Sequence, residues 1–187
     1  MKKIVLTCIL VCFAIFTIGC KKNTTAIVIE TSLGPIHIAL YDADSPETVK
    51  NFLRYSDEKF YDGTIFHRTI HNFMIQGGGL DADMNEKPTH DPIKNEADNG
   101  LSNKRGTVAM ARQSMPHSAT AQFFINTKDN PSLDHGERDF GYCVFGHVTQ
   151  GMDIVDKISM IETTSKGMHQ DVPLENIVIT AIKRVKK

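Results

Sequence analysis

The run from Ile65 to Gly79 (Ile-Phe-His-Arg-Thr-Ile-His-Asn-Phe-Met-Ile-Gln-Gly-Gly-Gly) limits what this chain can fold into more than any other stretch. Its first half, Ile65 to Ile70, is dense in β-branched and aromatic residues and reads as a strand. Phe73 to Gln76 reads as a second strand. His71 and Asn72 fall between the two, in a turn where Asn is well tolerated. Three glycines, Gly77 to Gly79, then end the second strand and free the backbone.

Side chains alternate across a strand. If His71 to Phe73 form a three-residue loop, Arg68 stands opposite Gln76 and Ile70 opposite Met74, all on one face. That face carries a guanidinium, an amide and two apolar side chains. A single Arg on a strand is commonly a solvated charge. Beside an apolar patch and braced by a Gln, it also suits recognition of a carbonyl or amide.

The remaining elements follow from the same rules. Ala26 to Thr31 and Pro35 to Leu40 read as strands joined by a turn at Ser32 to Gly34. Ser45 is a good helix N-cap, Pro46 suits the first helical position and Glu47 suits the helix dipole. Val49, Phe52 and Leu53 then form an apolar stripe. Leu80 to Arg105 is polar, with little periodicity, and reads as a long surface loop. Strands are predicted over Gly106–Ala111, Ala121–Asn126, Phe140–Val148 and Asn176–Ile182. A second helix is predicted over Gly151–Met160, with Met152, Val155 and Ile158 on one face. Many strands and two separated helices suggest a mainly β, closed architecture covered by helices.

With 187 residues, the chain is long enough for one domain with a full core. A net charge of -1 does not point to nucleic acid. The N-terminus reads as a leader. Lys2 and Lys3 precede an uncharged run from Ile4 to Gly19, which is short for a membrane span of roughly 20 residues and suits a signal peptide. The end of the run, Thr17-Ile-Gly-Cys20, resembles the lipobox of bacterial lipoproteins, with Thr17 where Leu is commoner. It implies cleavage before Cys20 and lipid on that thiol, so that residues 1–19 are lost and 20–25 form a membrane tether. A plain secreted protein and an uncleaved anchor are the alternatives. Of the 4 cysteines, Cys8 and Cys12 leave with the leader, and Cys143 alone cannot form an internal disulfide. Cys143 reads as a small core residue.

The order of several motifs resembles that of the cyclophilins, the bacterial ones most closely. They are Phe66-His-Arg68, Phe73-Met-Ile-Gln-Gly-Gly78, Met110-Ala-Arg112, Ser118-Ala-Thr-Ala-Gln-Phe-Phe-Ile125, Leu133-Asp-His-Gly136 and Val144-Phe-Gly146. The resemblance spans about Ile27 to Ile182. It implies that residues 26–187 form a closed eight-stranded antiparallel barrel capped by two α-helices. It also implies a monomer with peptidyl-prolyl cis-trans isomerase activity and no cofactor, acting on proline-containing polypeptides. By the same resemblance Arg68 is the central catalytic residue, and Gln76 and Gln122 orient it and the substrate backbone. Phe73, Met74, Phe124 and Leu133 would form the proline pocket, with Tyr142 beside it. Ala111, Arg112 and Gln113 would meet the residue before proline. Ser132 stands where the family often has an aromatic residue, and Arg112 where many members have Asn.

Other chemistries find little support. The chain has 8 histidines, but His67 and His71 share a strand and turn rather than a helix, and no HExxH motif or Cys pair is present. No GK[ST] follows the three glycines, and there is no GxSxG elbow. The rival reading is a proline-peptide-binding chaperone module without significant turnover.

Overall fold

The structure is a computed structural model that describes residues 24–136 and 139–185. The leader and Cys20 lie outside the described residues. Of the expected tether, Thr25 already belongs to the folded domain. Its backbone N–H and hydroxyl donate to the Asp42 carboxylate at 2.7 and 2.8 Å, and its carbonyl accepts from Leu40.

The elements run β1 (Ala26–Thr31), β2 (Gly34–Leu40), α1 (Pro46–Asp57), β3 (Thr64–Ile70), β4 (Met74–Asp81), β5 (Thr107–Met110), β6 (Phe123–Asn126), β7 (Val144–Gln150), α2 (Met152–Ser159), β8 (Thr163–Lys166), β9 (His169–Pro173) and β10 (Ile179–Arg184). Eight strands form one antiparallel sheet in the order β10-β1-β2-β7-β5-β6-β4-β3, while β8 and β9 make a separate hairpin. The two ends of the sheet meet. Ile65 bridges Val178, and Gly63 and Phe66 donate to the carbonyls of Ile179 and Ile177 at 2.9 and 3.0 Å. The sheet thus curls into a nearly closed barrel, which leaves few free edges.

Alternation fills the barrel. Ile27 and Ile29 of β1 and Ile36, Ile38 and Leu40 of β2 point inward and are fully buried. Phe52 of α1 joins them, packing against the rings of Tyr61, Phe123 and Phe145 at 5.1–5.5 Å. Val155 and Ile158 of α2 belong to the same core.

The pairing at the centre is the one expected from the loop length: Arg68 faces Gln76 and Ile70 faces Met74. Asn72 turns the chain with a φ of 55°, a left-handed conformation that Asn tolerates. One feature of β3 could not be anticipated. Phe66 pairs with Gly77 but Arg68 pairs with Gln76, so His67 is the extra residue of a β-bulge. Strict alternation would put Phe66 and Arg68 on one face. The bulge leaves Phe66 in the barrel core and sends Arg68 outside.

Four expectations need correction. The glycines do not end β4, which runs on to Asp81. They lie within it because the barrel packs closely there: Gly78 has a φ of +82° with Phe123 and Tyr61 against it, and Gly79 lies on Gln122. Ser45 does not cap α1 with its side chain; its hydroxyl donates to Val144 O at 2.7 Å. Glu96 takes that part instead, its carboxylate accepting from the backbone N–H groups of Glu47 and Thr48 at 3.2 and 2.8 Å. Glu96 comes from the stretch read as a surface loop, which is therefore partly structural. Asn95, Ala97 and Asn103 of the same stretch are buried. Finally, the last strand is shifted to Ile179–Arg184, and the β8–β9 hairpin was not anticipated.

Candidate active site

The outer face of the barrel carries one continuous row of paired residues. It runs from Arg68 on β3 to Gln76 on β4, Phe124 on β6, Ala109 on β5 and Val144 on β7. Neighbouring strands are about 4.8 Å apart, so the backbones of Arg68 and Phe124 are about 10 Å apart, within reach of an Arg side chain. A parallel row sets Ile70 beside Met74 and Asn126.

Met74, Ala109, Phe124 and Val144 form an apolar cluster separate from the barrel core. Ile70, Phe73, Ala111, Leu133 and Tyr142 pack against it while keeping part of their surface open. The rings of Phe124 and Tyr142 meet edge to face at 5.7 Å. Phe73, Met74, Phe124, Leu133, Tyr142 and Ala111 are thus brought together, although they are scattered over 70 positions of sequence.

Polar groups border this patch on one side. Gln76 Nε2 donates to Gln122 Oε1 at 2.9 Å. Beyond them lies a cleft of about 340 Å³, lined also by Ala111, Arg112 and Gln113, with Glu86 and Lys87 on its far wall. The Arg112 side chain is only 4% exposed, and its guanidinium is already occupied. It donates to the carbonyls of Gly141 and Gln113, pairs with Asp139 and lies 4.6 Å from the Tyr142 ring centroid. Its side chain braces the loop, so any contact it makes with a ligand is through backbone. A larger concavity of about 680 Å³ runs along α1, far from this convergence of groups.

Next to Gln76, on β3, stands Arg68. Its Nε forms an ion pair with Asp171 Oδ2 at 3.5 Å, each side chain about 40% exposed. Behind it, burial, with smaller effects from the nearby His169 and Arg68, lowers His67 to about 4. His67 is therefore neutral at pH 7 and adds no second charge beside the guanidinium. His71, in contrast, is exposed in the turn.

A family model described as cyclophilin type peptidyl-prolyl cis-trans isomerase/CLD matches residues 26–184. The chain belongs to the cyclophilins. It is 54% identical over 165 residues to peptidyl-prolyl cis-trans isomerase A of Dickeya dadantii, covering 88% of this chain and 87% of that one. It is 56% identical over 159 residues to isomerase B of Escherichia coli, covering 83% and 97%. Among solved structures, a Cryptosporidium parvum cyclophilin crystallised with the dipeptide Ala-Pro superimposes with a TM-score of 0.72 at 26% identity, covering 87% of this chain and 99% of that one. The protein is a peptidyl-prolyl cis-trans isomerase, and the cyclophilin barrel is its scaffold.

Several residues that hold the walls of this apolar patch were missed in the sequence. Asn130 donates to Phe73 O at 2.9 Å and to Asn126 Oδ1 at 2.7 Å. Asn103 donates to Leu133 O and to Asp134. All three asparagines are buried, so this lattice fixes the walls of the apolar patch from beneath. Isolated polar residues carry no periodic signal, whether in loops, as Asn103 is, or at the end of a short strand, as Asn126 is. Asp171 was missed for the same reason.

Proposed function

We propose that Arg68 supplies the interaction that speeds rotation. In this reading a proline ring sits on Phe73, Met74, Phe124 and Leu133, Gln76 and Gln122 orient the peptide backbone, and Ala111, Arg112 and Gln113 meet the residue before proline. One observation carries it: the paired row that sets a half-exposed guanidinium two strands from Phe124 on an open apolar patch.

The barrier to rotation comes from amide resonance and is about 18–20 kcal/mol, so an X-Pro bond turns in tens to hundreds of seconds unaided. Bringing that to milliseconds requires lowering the barrier by roughly 6–7 kcal/mol. As the bond twists, the proline nitrogen leaves conjugation and becomes a better hydrogen-bond acceptor. A guanidinium N–H aimed at that nitrogen binds the twisted state more strongly than either planar state, which is the condition for catalysis. The apolar patch holds the ring while the preceding carbonyl swings. No bond is made or broken, so the chemistry calls for neither nucleophile nor cofactor.

We further infer that the enzyme acts on exported or envelope polypeptides from a lipid anchor at Cys20, as a monomer. The charged start, uncharged run and Cys20 support this reading.

The test compares residues 21–187 with the Arg68→Ala variant in a proline-peptide isomerisation assay. Loss of about 10²–10³ in kcat/KM with an unchanged fold is expected. Equal catalysed rates for both would sink the reading of Arg68, and no rate above the uncatalysed one for either would favour the binding-module reading. For the anchor, Cys20→Ala should shift the protein out of the membrane fraction or block its processing; unchanged partitioning and processing reject it.

A further inference from the structure

Both members of the Arg68–Asp171 pair stand at breaks in regular backbone. Arg68 follows the bulge at His67. In the neighbouring hairpin, Thr164 pairs with Val172 but Lys166 with His169, so three steps along β9 answer two along β8. Asp171 lies inside that irregularity with a φ of 58°, a conformation uncommon for any residue but glycine. Bulges re-aim side chains, and this one brings a carboxylate to 3.5 Å from Arg68 Nε. Stability does not account for the arrangement, because a pair this exposed contributes little to folding. β9 packs along β3, so the hairpin supplies a fixed platform beside the guanidinium.

Resting on the reading of Arg68 as the donor to the proline nitrogen, we infer that Asp171 is a positioning residue for Arg68. It holds the guanidinium through Nε, which restricts rotation of a long side chain and leaves the two terminal nitrogens to face the apolar patch. The entropy of ordering Arg68 is then met in the free enzyme and not in the transition state. Gln76 does not duplicate this role: among the described residues no hydrogen bond joins it to Arg68, and its amide turns to Gln122 instead.

The experiment is a double-mutant cycle with kcat and KM measured separately. Asp171→Ala is expected to lower kcat about five- to tenfold with KM nearly unchanged. Asp171→Asn keeps the shape and tolerance of the left-handed conformation but removes the charge of this ion pair, and should recover only part of that loss. In an Arg68→Lys background, which has no Nε, Asp171→Ala should have no further effect. Full activity of Asp171→Ala overturns the inference. So does an equal loss in the Arg68→Lys background, which would mark Asp171 as a packing residue of the hairpin. The ¹⁵N signal of the Arg68 Nε–H group reads the contact without turnover: it should be resolved in the parent protein and broadened or shifted in Asp171→Ala, and an unchanged signal also overturns the inference. An Arg68→Ala protein as active as the parent would instead sink the reading of Arg68, while the Nε signal would still judge the contact.

Discussion

Gln76 donates to Gln122 across the outer face of the barrel, from β4 to the residue just before β6, and Gly79 is the floor beneath the acceptor. A Cβ at Gly79 would collide with Gln122 Cγ and come within 2.7 Å of its Cδ, although the backbone of Gly79 is not left-handed. Gly79→Ala should therefore displace Gln122 and break the amide pair. A several-fold fall in kcat/KM is expected, with loss of stability under about 1 kcal/mol. Gly78→Ala should behave differently. Its φ of +82° and the Phe123 ring atom 2.7 Å from the added carbon predict a loss of about 2–4 kcal/mol. Steady-state kinetics and urea unfolding of the two variants check the contrast; similar behaviour of both would refute it.

Glu96 reaches α1 from a segment about 50 positions away in sequence, and the helix has no local side-chain cap. Glu96→Ala should cost about 1–2 kcal/mol, a typical capping loss. Isomerase activity at 25 °C should stay close to that of the parent, because α1 contributes nothing to the apolar patch. Urea midpoints and kcat/KM measured on the same preparation test both halves.

Asn103 is buried and its amide nitrogen serves Leu133 O and Asp134. Asn103→Leu fills the space but removes the side-chain donor, leaving Leu133 O and Asp134 with only the backbone N–H groups of Tyr142 and of residue 103 itself. A loss of about 1–2 kcal/mol is expected, together with a raised KM, since Leu133 is a wall of the patch. A stable variant with unchanged KM would show that the lattice does not hold the pocket.

His67 is buried with an unbonded Nδ1, and its folded-state value of about 4 lies below the ordinary 6.5. Between those values the unfolded chain binds the proton and the folded chain does not. The stability from keeping His67 neutral is complete above about pH 6.5 and is lost as pH falls toward 4. Its size between pH 7.5 and 4.5 is on the order of 2–3 kcal/mol. Urea unfolding of the parent and of His67→Gln at both pH values isolates the effect, because other carboxylates cancel in the difference. Equal pH dependence of the two proteins would contradict it.

Much of the fold was legible in the sequence, for physical reasons that differ by residue. Strand identity follows from local propensity, as at Ile65–Ile70 and Ala26–Thr31. The register of β3 on β4 follows from the length of the loop at His71–Phe73, because a short connection leaves one pairing. The motifs from Phe66 to Gly146 identify the family, and with it the expectation that Phe73, Met74, Phe124 and Leu133, which the fold gathers into one apolar patch, hold the proline ring.

What local chemistry cannot specify is any interaction whose partner is distant in the chain. The bulge at His67 depends on how β3 closes the barrel against the segment at Ile177, so alternation alone does not show which face Arg68 takes. Glu96 caps a helix it does not border, and Ser45, suited by type to cap, is drawn to Val144 instead. Asp171 meets Arg68 only because the β8–β9 hairpin folds back along β3. Propensity, turn length and residue type thus set the elements and the chemistry available to them. Barrel closure, a sum of contacts between remote segments, decided which side chains would share the outer face.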